Sequence, residues 1–163
     1  FELANAMSKN PFSPGKLVSS ESFVGWASEI GIAFDRIASR SSLAIWGGAG
    51  MGKSSFLELL ISPQVWQHYG CEHSESIIIY LDCLGIIPFL PATFWREILS
   101  LIKDELDDDD PLQTGIDQSL EKAEATKDDL RQFLKQIGKQ NKFLLLLLDN
   151  YDAAFRPHDQ YKE

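Results

Sequence analysis

The sequence predicts an α/β fold with three layers, in which helices cover both faces of a mostly parallel sheet. Three apolar runs have the length of a strand, at 42–47, 76–82 and 143–149, and the last two end in an aspartate. Segments with apolar residues at helical spacing separate these runs. Alternating strands and helices indicate parallel pairing, because a parallel connection needs a crossover and buried parallel strands are apolar on both faces.

The first half of the chain opens with a lead-in segment, 1–21, whose prolines oppose regular structure. The remainder, 22–163, is predicted to form the N-terminal part of a domain. Its first elements are an amphipathic helix over roughly 22–39, a strand at about 42–47, a helix at Ser54–Ile61 and a short helix at Pro63–Tyr69.

The second half begins with the strand Ser76–Asp82, whose final aspartate is expected at the carboxyl edge of the sheet, where ligands bind in open α/β folds. A helix from Thr93 to about Leu106 follows and ends at the acidic run 107–110. We interpret that run as a solvated loop rather than a metal site, because no ligand spacing supports a metal. A capping box at Thr126 starts a helix to about Gln140, and the strand Phe143–Asp149 comes last.

The composition limits the classes of function. The chain has 163 residues, 44% of them hydrophobic, which suits one domain or most of one. Its net charge of -9 argues against a broad basic surface for nucleic acid. Cys71 and Cys83 could pair in principle, but reduced thiols in a cytosolic protein are the simpler interpretation. No apolar run reaches the ~18 residues that a membrane span needs, so we predict a cytoplasmic protein without a membrane partner.

A glycine-rich stretch, Gly47–Ser54, is the most specific motif of the chain. It reads GGAGMGKS and matches G-x-x-x-x-G-K-[ST], the phosphate-binding loop of nucleotide-binding proteins. Consecutive backbone N–H groups can surround a polyphosphate, and glycine permits the close approach and the sharp turn. The predicted nucleotide-binding residues of this stretch are Gly47, Gly48, Ala49, Gly50, Met51, Gly52, Lys53, Ser54 and Ser55.

Two roles in this stretch are more specific. Lys53 is expected to reach the terminal phosphates, and the Ser54 hydroxyl is expected to be a Mg2+ ligand. The strand Phe143–Asp149 supplies the second half of the predicted site, because an aspartate at the end of such a strand can hold Mg2+ opposite the serine. Lys53, Asp149, Asn150 and Asp152 are the candidate catalytic residues, and Ser54 and Asp149 the candidate metal ligands.

Asn150 stands where ATPases of this broad kind often have an acid that orients or deprotonates the attacking water. An amide orients water but cannot accept its proton at neutral pH. Asp152 can replace the acid, or hydrolysis is slow; Asp152 as an ordinary loop acid is an equal alternative.

Together these pieces resemble the STAND branch of AAA+-type P-loop ATPases, especially its prokaryotic members. The opening, Asn10-Pro11-Phe12 then Phe23-Val24-Gly25 and Glu29-Ile30, is similar to the family's NPF…FVGRxxEI. The stretch 77–82 with Phe94-Trp95 resembles the second strand and next helix, and LLLLLDNYDA at 144–153 resembles LLLLDEFDA.

The resemblance implies that Phe23, Val24 and Gly25 line the adenine and ribose pocket. Trp26 stands where the family usually has Arg, and it is either a base-stacking residue or a core or interface aromatic. A sensor strand, any arginine finger and the effector or sensor domains would lie beyond Glu163, so the resemblance implies a sheet that is incomplete at its C-terminus.

The expected function is an ATP–Mg2+ switch module of a STAND-like signalling or defence ATPase, with ATP or ADP as its nucleotide. In that family the ATP-bound state commonly forms homo-oligomers and activates an effector. A loader or motor ATPase acting on nucleic acid is the alternative, which the acidic balance disfavours. An ATP-binding protein that does not hydrolyse is a third possibility, based on Asn150.

Overall fold

The computed structural model describes residues 26–155, and every structural statement below concerns this range. Its strands are β1 (Ser76–Asp82) and β2 (Phe143–Asp149). Its α-helices are α1 (Ala27–Ala38), α2 (Lys53–Leu59), α3 (Pro63–His68), α4 (Pro91–Asp104), α5 (Leu112–Leu120) and α6 (Lys127–Lys139). Short 3-10 helices cover His73–Glu75, Cys83–Gly85 and Tyr151–Phe155.

The strands β1 and β2 form one parallel two-stranded sheet. Their register starts with Ser76 opposite Phe143 and ends with Asp82 opposite Asp149. Both strands were predicted with these bounds, and both predictions are confirmed. The two aspartates therefore meet at the carboxyl edge of the sheet.

Each strand divides its side chains between two hydrophobic clusters, because successive residues of a strand point to opposite faces. Ile77, Ile79 and Leu81 pack in a cluster with α4, α5 and α6. Ile78 and Leu147 pack in a second cluster with residues of α1, α2 and α3. Tyr80 and Leu145 lie against this second cluster. Because side chains alternate along a strand, Tyr80 and Asp149 are on the same face of the sheet, the one next to α2.

The predicted fold class is wrong. A three-layer P-loop domain needs a larger parallel sheet, whereas residues 26–155 contain a sheet of two strands and are 55% helical. The predicted strand at 42–47 is absent, since residues 41–48 have no regular structure. The strand was predicted because the segment is apolar, which suggested burial. In the structure Trp46 is 89% exposed, and neither β1 nor β2 pairs with the segment. A strand needs a neighbour that satisfies its backbone groups, and sequence pattern does not show whether that neighbour exists.

The predicted helices form with shifted ends, and the structure adds α5, which was not predicted. The start of α1 predicted at 22 lies outside the described residues. Helix α4 begins at Pro91 rather than at Thr93, because proline suits the first helical turn and the Thr93 hydroxyl accepts a hydrogen bond from the Leu90 N–H, 3.0 Å. None of the helices within 26–155 is both long and apolar enough to cross a membrane.

Candidate functional site

The glycine-rich loop leads directly into α2, which begins at Lys53. Gly50 has a φ of 77° and Gly52 a φ of 83°, a left-handed conformation that glycine adopts without steric cost. The Gly48 N–H points to the Met51 Sδ at 3.1 Å and closes the turn. These glycines allow a tight loop whose backbone is exposed to ligands.

Lys53 folds back over this loop. Its Nζ donates to the carbonyl oxygen of Gly47 at 2.9 Å and to that of Gly48 at 2.8 Å. The side chain thus holds a positive charge against the loop rather than extending into solvent. An anion that enters the loop would meet this ammonium group.

Asp149, at the end of β2, is the central carboxylate of the site and is only 6% exposed. The Tyr80 hydroxyl donates to its Oδ2 at 2.8 Å, and the Asn150 N–H donates to its Oδ1 at 2.9 Å. Both oxygens are therefore held by donors from the two strands. Tyr80 was not among the predicted site residues, although its position two residues before Asp82 places it on the same face of the sheet.

The environment of Asp149 favours its ionised form. Burial alone would raise its pKa, but hydrogen bonding from Ser54, Tyr80 and the Asn150 backbone, with the nearby charge of Lys53, lowers the pKa below its ordinary value. Ser54 therefore lies within hydrogen-bond reach of Asp149, and Lys53 is near enough for its charge to act on this carboxylate. The structure thus brings together two predicted parts of the site that nearly 100 residues separate in the chain.

The Asn150 side chain forms a hydrogen bond across the carboxyl edge of the sheet. It has a φ of 50°, a conformation that asparagine tolerates better than most residues, and its Nδ2 donates to the Asp82 Oδ1 at 2.9 Å. The same Asp82 oxygen accepts the Leu84 N–H at 3.1 Å, which starts the 3-10 helix Cys83–Gly85. The predicted edge position of Asp82 is confirmed.

Asp152 is exposed and lies in the 3-10 helix Tyr151–Phe155, which directly follows β2. Burial raises the pKa of the Cys83 thiol to about 11, and the charges of Asp82, Asp149 and Asp152 contribute. All three carboxylates are therefore close enough to act on one buried group. Cys83 and Cys71 are free thiols in this structure.

The other predicted nucleotide-binding residues have different surroundings. Ala49 and Met51 are exposed on the loop, whereas Ser55 is buried behind it. Phe23, Val24 and Gly25 lie outside the described residues. Trp26 packs against Phe56 of α2, with ring centroids 5.2 Å apart, so its ring is part of the packing around α2.

The oxygen donors of the site fit Mg2+. No group of three His, Cys, Asp or Glu residues in the described range 26–155 could hold a metal. Mg2+ does not need such a cage, because it is usually held by one or two protein oxygens together with phosphate oxygens and water. The Ser54 hydroxyl and the Asp149 carboxylate are two oxygen donors beside each other.

Comparisons of the chain with known proteins gave no match. No protein-family model matches it. No curated protein matches it, and no solved structure does. The residues of the site therefore carry the evidence on function.

Proposed function

We propose that this chain binds ATP together with Mg2+ and acts as a nucleotide-dependent switch, in the manner of STAND-type signalling and defence ATPases. One observation carries the proposal: Lys53 and Ser54 lie beside the ionised Asp149, next to a loop of glycines. A cation, a hydroxyl and a carboxylate at such a loop are the groups that a polyphosphate with Mg2+ requires. The likeness concerns the site residues, because the two-stranded sheet does not have the fold expected of the family.

Each group has a role in the proposal. The backbone amides of Gly48 to Ser54 surround the phosphates, and Lys53 stabilises their negative charge. Lys53 already lies against the loop, so binding exchanges a carbonyl acceptor for a phosphate oxygen. That exchange is favourable because a hydrogen bond between two charged groups is stronger than one to a neutral carbonyl.

Ser54 and Asp149 hold Mg2+ in the proposal, with phosphate oxygens and water as the other ligands. Bound there, the ion would neutralise charge on the phosphates. The hydrogen bonds from Tyr80 and the Asn150 backbone keep the carboxylate in place before the ion arrives. This preorganisation reduces the ordering that binding requires.

The proposed switch requires that ATP binds one arrangement of the protein more tightly than the other. A nucleotide shifts the balance between two arrangements only as far as it binds one more tightly than the other. We propose that the ATP state favours a homo-oligomer and activates effector or sensor domains of the full-length protein in the cytoplasm. The net charge of -9 supports a function without nucleic acid, and Asn150 supports slow hydrolysis.

The test is isothermal titration calorimetry, in which the dissociation constant of ATP is measured for the 163-residue chain in the presence of Mg2+. Lys53→Ala and Asp149→Ala should each weaken binding, Lys53→Ala by roughly 10- to 100-fold, since a hydrogen bond to a charged group contributes about 1.5–3 kcal/mol. Lys139→Ala is the matched control, because Lys139 is an exposed lysine at the end of α6. Removing Mg2+ with a chelator should weaken ATP binding to wild type more than to Asp149→Ala.

Absence of ATP binding by the wild-type chain would contradict the proposal. Equal binding by Lys53→Ala and Lys139→Ala would contradict the role of the loop. Rapid turnover that DNA stimulates would favour the nucleic-acid loader instead.

A further inference from the structure

We propose that Asp82 is the general base of this site and that Asn150 positions it. The inference rests on the proposed ATP binding and adds the residue that accepts the proton of the attacking water. It takes the place of the acid that ATPases of this broad kind often carry at the position of Asn150. The observation behind it is the hydrogen bond from Asn150 Nδ2 to Asp82 Oδ1, 2.9 Å, across the ends of the two strands.

The register of the sheet places Asp82 beside the metal-binding carboxylate. Asp82 and Asp149 are Cα partners, and neighbouring strands lie about 4.8 Å apart. Alternation puts Asp82 on the same face as Tyr80, whose hydroxyl touches Asp149. Since Asp149 interacts with Ser54, Asp82 is one strand away from the residues that would hold the phosphates.

The hydrogen bonds of Asp82 leave one oxygen for chemistry. Its Oδ1 accepts from Asn150 Nδ2 and from the Leu84 N–H. Within the part of the chain that the structure describes, its Oδ2 accepts no hydrogen bond, and the side chain is exposed. Two donors fix the carboxylate while the second oxygen faces water.

The neighbouring polar groups suit the task less well. The Asn150 amide cannot accept a proton at neutral pH. Both oxygens of Asp149 are held by Tyr80 and by the Asn150 backbone, and this carboxylate is the proposed metal ligand. Asp152 is the rival carboxylate at this edge, so its variant decides between the two.

In the proposed step, a water molecule attacks the terminal phosphorus of ATP. An O–H bond of water breaks and its proton goes to Asp82 Oδ2, while the water oxygen forms a bond to the terminal phosphorus. The bond from that phosphorus to the bridging oxygen breaks, and its electron pair stays on ADP. Inorganic phosphate leaves, and Asp82 returns the proton to solvent.

The experiment measures ATP affinity and single-turnover hydrolysis separately on the whole chain. Asp82→Asn keeps an acceptor for Asn150 and Leu84, so ATP affinity should stay within about twofold while turnover falls roughly 100-fold or more, the usual contribution of a general base. Asp152→Asn tests the rival carboxylate and should lower turnover less than Asp82→Asn does. Asp128→Asn, at an exposed carboxylate of α6, is the control and should keep turnover within about threefold. Asn150→Gly, which removes the side chain and tolerates the positive φ, should lower the turnover rate with ATP affinity unchanged, which separates positioning from binding.

The double variant Asp82→Asn/Asn150→Asp exchanges the two groups and keeps their hydrogen bond. It should recover at least about a tenth of the lost rate, because a carboxylate returns to the same pair. A turnover rate of Asp82→Asn equal to that of wild type overturns the inference, as does wild-type binding without hydrolysis or a loss confined to Asp152→Asn. In each of these cases ATP still binds, whereas failure of the proposed function would show as wild-type protein that binds no ATP.

Discussion

The two sides of the candidate site differ in how they are held. On the sheet side, Asp149 is buried and both of its oxygens accept hydrogen bonds from residues of β1 and β2 or next to them. On the loop side, residues 41–52 have no regular structure, and Trp46 is almost fully exposed. The Asp149 carboxylate is thus held in place by hydrogen bonds, whereas the glycine-rich loop, which binds phosphates in the proposed function, belongs to a segment with few buried side chains.

This difference indicates how such a site can respond to a ligand. Segments with few buried apolar contacts open at a low free-energy cost, while core strands open only at a cost near the global stability. A nucleotide that bridges Lys53 and Asp149 would order the loop against a sheet that is already fixed. Ordering of the loop is therefore the conformational change that the proposed switch can use.

The largest expected effect compares two tryptophans, one on each side. Trp66 of α3 is 1% exposed, and its Nε1 donates to the Leu60 carbonyl at 2.7 Å. Its ring packs against Phe34 and, on the sheet side, against Phe143 of β2. Trp66→Ala should lower the free energy of unfolding by about 4 kcal/mol, because it leaves a large cavity and an unpaired carbonyl. Urea unfolding followed by circular dichroism measures the change.

Trp46→Ala is the control for this prediction. Its side chain is 89% exposed, so the free energy of unfolding should change by less than about 0.5 kcal/mol. A loss at Trp46 as large as that at Trp66 would contradict the prediction, because the loop would then pack as firmly as the sheet.

A smaller effect is expected at the start of α6, a helix that packs on β2. Asp129 is buried and binds the Thr126 N–H at 2.9 Å, the Thr126 hydroxyl at 2.7 Å and the Lys122 ammonium group. Asp129→Ala should cost about 2 kcal/mol, the combined loss of a helix cap and a buried ion pair. Asp128→Asn is the control, because Asp128 on the same turn is exposed.

The stability that Asp129 contributes should depend on pH. Burial alone would raise its pKa, but the bonds from Lys122 and Thr126 outweigh it and lower the pKa from 3.8 to about 2. Because the folded-state pKa lies below the unfolded one, the stabilisation is complete above about pH 4 and is lost as the pH falls towards 2. Unfolding curves from pH 7 to 2 should converge for wild type and Asp129→Ala, and a constant gap would contradict this.

The sequence predicted the sheet side better than the loop side for a physical reason. An apolar run such as 143–149 that pairs with another run forms a strand whose bounds follow from its own residues. The run at 42–47 has a similar composition but no paired neighbour, and pairing is a property of the whole chain. Lys53, Ser54 and Asp149 could be predicted as site residues because they match a fixed motif, whereas Tyr80 matches none and only the structure shows its contact with Asp149.

The smallest expected effect tests the link between the two sides, namely the hydrogen bond from Tyr80. Its hydroxyl carries a raised pKa, caused by burial and by the Asp149 carboxylate, and so it stays a neutral donor to Asp149. Tyr80→Phe keeps the ring and removes only this donor, which should lower the free energy of unfolding by about 1 kcal/mol. Asp149 has other donors, including Ser54, so the variant should fold and still bind ATP.

Hydrogen exchange decides what this bond does for the site. If Tyr80 fixes the carboxylate before binding, amides of 143–150 should exchange faster in Tyr80→Phe, while those of 41–48 should exchange at the wild-type rate without nucleotide. Addition of ATP and Mg2+ should slow exchange in the loop of both proteins, with less protection in Tyr80→Phe because its carboxylate must first be ordered. Equal protection of the loop in both proteins would mean that Asp149 needs no support from β1, and the preorganisation of the sheet side would then come from β2 alone.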